Sequence, residues 1–172
     1  MGYTVEYDKY YKEDKKACGE PFSEIINFLE SKKGKNLKAL DLGCGQGRDS
    51  IPMAQMGYSV IGVDVSKVGL EQLDEISRKN KFKIKTIVGD IIDFKTRERF
   101  DVIVVDRVLH ILPDSEERET ILSRCRSYLK KGGVLLIADT PQNISSFKSY
   151  VKKNLKDLKV IFDKKNYLFY EK

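Results

Sequence analysis

Apolar and polar positions change period repeatedly along the chain, and the changes predict strands and helices in alternation. Residues 37–42, 58–64, 82–88, 100–106 and 134–138 are short apolar or alternating runs that read as five strands. Between them, apolar residues recur three and four apart. A helix is expected at 48–56, stopped by Gly57, and another after Ser66, with Val68, Leu73 and Ile76 inward and its end at 78–81. A further helix follows Asp114, with Ile121, Leu122, Cys125, Tyr128 and Leu129 on one stripe. Asp114 with Glu117 has the form of a capping box, and Lys130-Lys131-Gly132-Gly133 reads as a helix stop. A last helix at 144–158 carries Ile144, Phe147, Val151, Leu155 and Leu158, and the runs 159–163 and 167–171 are close enough to require an antiparallel hairpin. Strands alternating with helices make an α/β fold around a mostly parallel sheet.

Ahead of the first strand the pattern is weaker. Residues 1–20 mix Tyr3, Tyr7, Tyr10 and Tyr11 with charges, show little periodicity and break at Gly19-Glu20-Pro21. Pro21 suits a first helical turn, and Phe22, Ile25, Ile26 and Leu29 give a helix expected to end near Gly34. At 172 residues the expectation is a single domain, with an arm and helix at 1–36, either a lid or an ordinarily packed arm, and a core at 37–172.

Composition narrows the classes. No apolar run approaches a membrane span and no apolar leader opens the chain, so a soluble, cytoplasmic protein without a membrane partner is expected. Cys18, Cys44 and Cys125 are odd in number and widely spread, and His110 is the single histidine, so no metal centre is expected. The formal net charge is +6, and from Lys148 onward eight lysines face three acids. These lysines interleave with apolar positions at helical spacing. That favours a solvated helix face over a nucleic-acid surface.

The candidate chemistry lies where the first strand ends, at Asp41-Leu42-Gly43-Cys44-Gly45-Gln46-Gly47. Alternating glycines let a ligand approach bare backbone, and the next helix presents unpaired N–H groups. A dinucleotide fingerprint needs glycine at position 48, which is Arg48. Asp41 would also repel a pyrophosphate, whereas it suits a ligand carrying an ammonium group. Asp64, 21 residues beyond Gly43, stands where a carboxylate accepts both ribose hydroxyls of an adenosine.

These residues resemble the first motif of the class I S-adenosylmethionine-dependent methyltransferases. The resemblance continues through Val88-Gly89-Asp90-Ile91, Val108-Leu109-His110 and the Leu-Lys-Lys-Gly-Gly-Val-Leu-Leu-Ile passage at 129–137. It implies a Rossmann-like, doubly wound seven-stranded sheet, mostly parallel with an antiparallel C-terminal strand and helices on both faces. It also implies S-adenosylmethionine as cofactor and S-adenosylhomocysteine as product. Asp41, Gly43, Cys44, Gly45 and Gly47 would hold the methionine end, Asp64 the ribose and Asp90 the adenine, with Val65 and Ile91 also among the cofactor-binding residues. Asp106 departs from the small residue common at its place, and only its backbone is expected near the methionine. Tyr10, Tyr11, Arg107 and His110 would bound a small acceptor. His110 is either a base for the acceptor's proton or a hydrogen-bonding residue of its own loop. A magnesium site at Asp106 and Asp139 is the weakest of these readings. The phrase Gly-Gln-Gly-Arg-Asp-Ser at 45–50 looks most like the small tellurite-resistance and thiopurine methyltransferases. An RNA or protein methyltransferase using the basic tail, and a non-catalytic adenosine-binding module, are the alternatives.

Overall fold

The computed structural model describes residues 2–32 and 36–172, with side chains from Glu6 onward. The expected helix end near Gly34 and the side chain of Tyr3 lie outside the described residues. The strands are Lys38–Leu42 (β1), Ser59–Asp64 (β2), Ile84–Val88 (β3), Phe100–Asp106 (β4), Leu129–Ala138 (β5), Lys159–Lys164 (β6) and Tyr167–Glu171 (β7). The helices are Gly2–Glu13 (α1), Ser23–Ser31 (α2), Ser50–Gln55 (α3), Lys67–Asn80 (α4), Ser115–Tyr128 (α5) and Pro141–Asn154 (α6), with a 3-10 turn at Leu109–Ile111. The strands form a seven-stranded mixed sheet, as expected, in which β3, β2 and β1 are successive neighbours, as are β4, β5, β7 and β6. The chain divides into two compact units, Met1–Phe94 and Lys95–Lys172.

In the first unit β1, β2 and β3 run parallel, with Leu42 opposite Val63 and Asp64 opposite Val88. Strands covered on both faces need near-continuous apolar sequence, and β1 is buried from Ala39 to Leu42. Cys44, Leu70 and Leu73 make a small core with Ile51 and Ile84 packed against it. Helix α4 turns Gly69, Leu70, Leu73 and Ser77 inward, so its buried stripe is rotated from the expected Val68, Leu73 and Ile76. Its start is set by Ser66, whose hydroxyl accepts the Gly69 N–H at 3.0 Å. The largest departure from the sequence reading is α1, a regular helix where little periodicity was expected. Its order comes from docking onto α4, which the local pattern does not report.

In the second unit β4 and β5 are parallel, while β7 runs antiparallel to β5 and to β6. The hairpin places Lys164 opposite Tyr167. The expected helix stop at residues 130–133 is corrected: α5 ends at Tyr128, and these residues belong to β5. The register of β4 jumps there, from Phe100 opposite Leu129 to Val102 opposite Val134. The extra residues form a bulge, in which Gly132 has φ 74° and its N–H donates to the Lys172 carbonyl at 2.6 Å. Lys130 Nζ donates to Asp101 at 2.7 Å instead of capping a helix.

A methyl group has no room on the bulge. A Cβ on Gly133 would lie 2.9 Å from the Phe100 carbonyl oxygen and 3.0 Å from that of Lys130, both backbone atoms. Gly133→Ala is expected to lower unfolding free energy by about 1–3 kcal/mol. Urea denaturation followed by circular dichroism measures it, and an unchanged midpoint would contradict the bulge geometry.

Candidate cofactor site

Within the first unit the parallel strands deliver three aspartates to one end of the sheet. Asp41 lies one residue before the end of β1, Asp64 ends β2, and Asp90 lies two residues beyond β3. The Gly89 N–H donates to the Asp64 carbonyl at 2.9 Å, which ties the Asp90 turn to the tip of β2.

The glycine loop is built on left-handed backbone, with φ 79° at Gly43, 50° at Gly45 and 89° at Gly47. The N–H groups of Gly43 and Cys44 both donate to the Val63 carbonyl, at 2.8 and 3.2 Å. Gly45 N–H instead donates to Asp64 Oδ2 at 2.8 Å, and Ser66 N–H donates to Asp64 Oδ1 at 2.8 Å. The carboxylate is thereby fixed against the loop. Burial pushes its pKa upward, opposed by the N–H groups of Ser66, Gly45 and Val65, and neighbouring Asp8 raises it further.

The other expected residues are placed as follows. Asp41 is buried and accepts the Ser50 hydroxyl at 2.6 Å, so its carboxylate is tied to the start of α3. The Cys44 side chain belongs to the small core with Leu70 and Leu73, and burial followed by Asp41 and Asp64 pushes its thiol well above the usual range. Asp90 is exposed and Ile91 buried, with Asp90 Oδ1 accepting the Ile92 N–H at 2.8 Å.

Tyr10 and Tyr11 part company. Tyr10 is 51% exposed, whereas Tyr11 is 6% exposed and wedged between two glycines. A Cβ on Gly45 would lie 2.6 Å from the Tyr11 hydroxyl, and one on Gly69 would lie 2.9 Å from its ring. The Cys18 thiol donates to the Tyr11 hydroxyl at 3.6 Å, and burial with Cys18 beside it pushes the phenol's pKa up. Tyr7 stacks obliquely on Tyr11 at 5.9 Å, and burial first and then the Asp64 charge raise its pKa.

Polar contacts that the sequence reading missed hold this arrangement. Gln72 Nε2 donates to the Tyr11 carbonyl at 2.9 Å. Gln46 Nε2 donates to the Asp14 carbonyl at 2.8 Å and to Gln72 Oε1 at 2.7 Å, while Gln46 Oε1 accepts the Cys18 N–H at 3.2 Å. Asp8 Oδ1 accepts from the Ser66 hydroxyl at 2.6 Å and the Val68 N–H at 3.2 Å.

The model of a family described as a methyltransferase domain matches residues 33–170. The chain belongs to that family. The methyltransferase domain is 34% identical over 113 residues to a ubiquinone biosynthesis O-methyltransferase of Pelagibacter ubique, covering 66% of this chain and 46% of that protein. A relative of the same name from Leptothrix cholodnii is 30% identical over 127 residues, covering 71% of this chain and 53% of that one. The chain thus spans about half the length of these curated relatives. TehB from Haemophilus influenzae shares the fold with a TM-score of 0.76 at 22% identity, covering 96% of this chain and 67% of that one. A TehB-like S-adenosylmethionine-dependent methyltransferase of Corynebacterium glutamicum shares it at 0.75 and 19% identity, covering 99% and 98%.

In the second unit of the methyltransferase domain the remaining expected residues gather at the ends of β4 and β5. Asp106 is buried, and Arg107 follows it in left-handed backbone, φ 51°, with its N–H donating to the Ala138 carbonyl at 2.7 Å. Arg107 Nε lies 3.9 Å from Asp106 Oδ1. Asp139 Oδ2 accepts the His110 backbone N–H at 3.1 Å and lies 3.9 Å from His110 Nδ1. Asp139 Oδ1 accepts from Thr140 N–H at 2.7 Å and Asn143 Nδ2 at 2.8 Å, so the carboxylate proposed from sequence as a magnesium ligand is engaged by nitrogen donors. Among the described residues no group of three or more His, Cys, Asp or Glu is placed to hold a metal ion.

The tyrosine slot inverts a common rule. Alanine in place of a helical glycine ordinarily gains about 1 kcal/mol. At Gly69 its Cβ would meet Tyr11 Cδ2 at 2.9 Å, Cε2 at 3.0 Å and the Gly45 carbonyl carbon at 3.1 Å. Gly69→Ala is therefore expected to lose about 1–3 kcal/mol in chemical denaturation. A stabilised variant would show that Tyr11 does not occupy the slot.

Proposed function

We propose that this chain binds S-adenosylmethionine at the strand ends of its first unit and transfers the methyl group to a small-molecule acceptor. The observation that carries the reading is Asp64, a buried carboxylate locked to the glycine loop by the Gly45 N–H. The residues suit the group. A carboxylate has about four acceptor sites, so the N–H groups of Gly45, Ser66 and Val65 leave room for a ribose hydroxyl. The left-handed glycines leave bare backbone where the methionine end would lie. Relatives support it: a structural neighbour, a magnesium protoporphyrin IX methyltransferase, was solved with S-adenosylmethionine, and another, the N-methyltransferase NodS, with S-adenosylhomocysteine.

The bound cofactor would supply a methyl already activated on a sulfonium sulfur. The chain's own task is then positioning, with the acceptor atom and methyl carbon held about 3–3.5 Å apart and in line. Asp64 would fix the ribose, Asp90 the adenine edge and the glycine loop the methionine end, while α1 keeps water from the loop. The family resemblance assigns His110 and Arg107 to the acceptor, and within the second unit His110 is placed by its backbone bond to Asp139. Hydroxyl acceptors have first claim, because the curated relatives are named O-methyltransferases. Part of the tail's charge is engaged within the chain: Lys148 pairs with Asp163, Asp157 pairs with Arg126 at 2.8 Å, and Lys172 Nζ is held by the Arg126 and Leu129 carbonyls. No helix among the described residues is long and apolar enough to cross a membrane.

Calorimetric titration with S-adenosylhomocysteine should show one-site binding, weakened about 100-fold or more by Asp64→Ala, the scale of a lost charge-assisted hydrogen-bond pair. Transfer of radiolabelled methyl into fractionated extract would identify the acceptor. Absence of binding at millimolar ligand would refute the cofactor assignment.

Affinity should also depend on pH in a definite direction. The ribose needs the charged carboxylate, and burial raises the Asp64 pKa above the ordinary 3.8. Binding is expected to weaken as pH falls, beginning above the range of an ordinary aspartate, and Asp64→Asn should flatten the profile. Folding linkage has the same origin: a raised acid pKa gives stability that is present at low pH and lost as pH rises through the folded value.

A further inference from the structure

The contacts holding α1 converge on the residues that hold Asp64. Asp8, on α1, accepts the Ser66 hydroxyl proton at 2.6 Å, and the same hydroxyl oxygen accepts the Gly69 N–H at 3.0 Å. Ser66 in turn donates its backbone N–H to Asp64 Oδ1 at 2.8 Å. One serine therefore links a carboxylate on α1 to the carboxylate at the tip of β2. Asp64 Oδ2 is bound by Gly45, against which Tyr11 of α1 is packed. Helix α1 thus reaches both oxygens of Asp64 through single intermediaries, Ser66 on one side and Gly45 on the other.

The Ser66 hydroxyl bonds Asp8 only while α1 is docked, and the N–H of the same residue holds Asp64 against the glycine loop. A ligand held by Asp64 fixes Ser66 as well, so occupancy of Asp64 and docking of Asp8 favour each other. Linkage makes the effect reciprocal. We propose that Asp8 is a positioning residue of the cofactor site, coupling the docking of α1 to ligand binding at Asp64 through Ser66. This rests on the reading that Asp64 holds the ribose hydroxyls.

The alternative is that Asp8 only caps α4, satisfying the Val68 N–H and the positive helix end. A cap alone would change stability and leave ligand affinity intact. The two are separated by measuring S-adenosylhomocysteine affinity by calorimetry and α1 amide exchange by mass spectrometry on the full chain. In the unaltered protein the ligand should slow exchange across α1. Asp8→Ala and Ser66→Ala should each weaken binding roughly tenfold, within the usual range of coupling, and abolish the ligand's effect on α1 exchange. Asp8→Asn keeps an acceptor oxygen and should restore affinity to within about threefold. That variant also keeps the test valid if Asp8→Ala fails to fold, because loss of its α1 response would then be the overturning result.

Binding by Asp8→Ala within twofold of the unaltered protein, or α1 exchange indifferent to ligand, would overturn the proposal. Asp64→Ala separates the two failures. If it abolishes binding while Asp8→Ala does not, the coupling alone is wrong, and if it binds normally, the cofactor reading has failed and takes the coupling with it.

Discussion

The bond between the Gly45 N–H and Asp64 Oδ2 is the constraint on which the candidate site depends. It joins the loop after β1 to the tip of β2, across 19 residues, and does so with a charged acceptor in a buried place. Burying a carboxylate is expensive unless donors replace its water, and here backbone N–H groups do so. Those donors exist because the loop is left-handed at three glycines and because Ser66 stands at the start of α4. Parallel pairing of β1 and β2 then sets the distance between the two partners. Remove any of these and the carboxylate either leaves the loop or takes a proton.

How far this was legible depends on where each partner sits in sequence. The glycine loop and Asp64 could be read because strand, turn and acid are local features at a fixed spacing. The position of Asp41 was legible but its direction was not, since its partner, the Ser50 hydroxyl, is recognised only once α3 has formed. Tyr10 and Tyr11 could not be told apart from composition; on a helix, neighbours point about 100° apart, so one faces the loop and the other water. The helix itself was missed although Tyr3, Tyr7 and Tyr11 recur every four residues. Charges between them mask the stripe, and the partners that order it, Ser66 and Gln72, lie 58 and 61 residues away. The glycine pair at 132–133 failed differently. The same two letters that stop a helix also open a bulge, and only the bonds to Lys172 decide which.

His110 shows the limit of reading a role from residue type. A lone histidine near a strand end invites a general-base assignment. The hydrogen bond it makes to Asp139, however, runs from its backbone N–H, and its Nδ1 stands 3.9 Å from the same oxygen with the ring 40% exposed. Asp139 therefore places the loop first and the imidazole second. Neither donation nor acceptance by the imidazole is demanded when the methyl is already activated. Positioning is the role that this geometry supports without a further assumption.

The docking of α1 has an energy scale suited to response. A twelve-residue helix is marginal by itself in water, so its order is borrowed from what it packs against. Among the described residues its contacts include one tyrosine between two glycines, and hydrogen bonds worth about 0.5–1.5 kcal/mol each after exchange with water. Such a set totals a few kcal/mol, comparable to what a ligand supplies by favouring one state over another. On the proposed coupling, a helix held through two glycines and one serine lies within reach of the ligand's own binding energy.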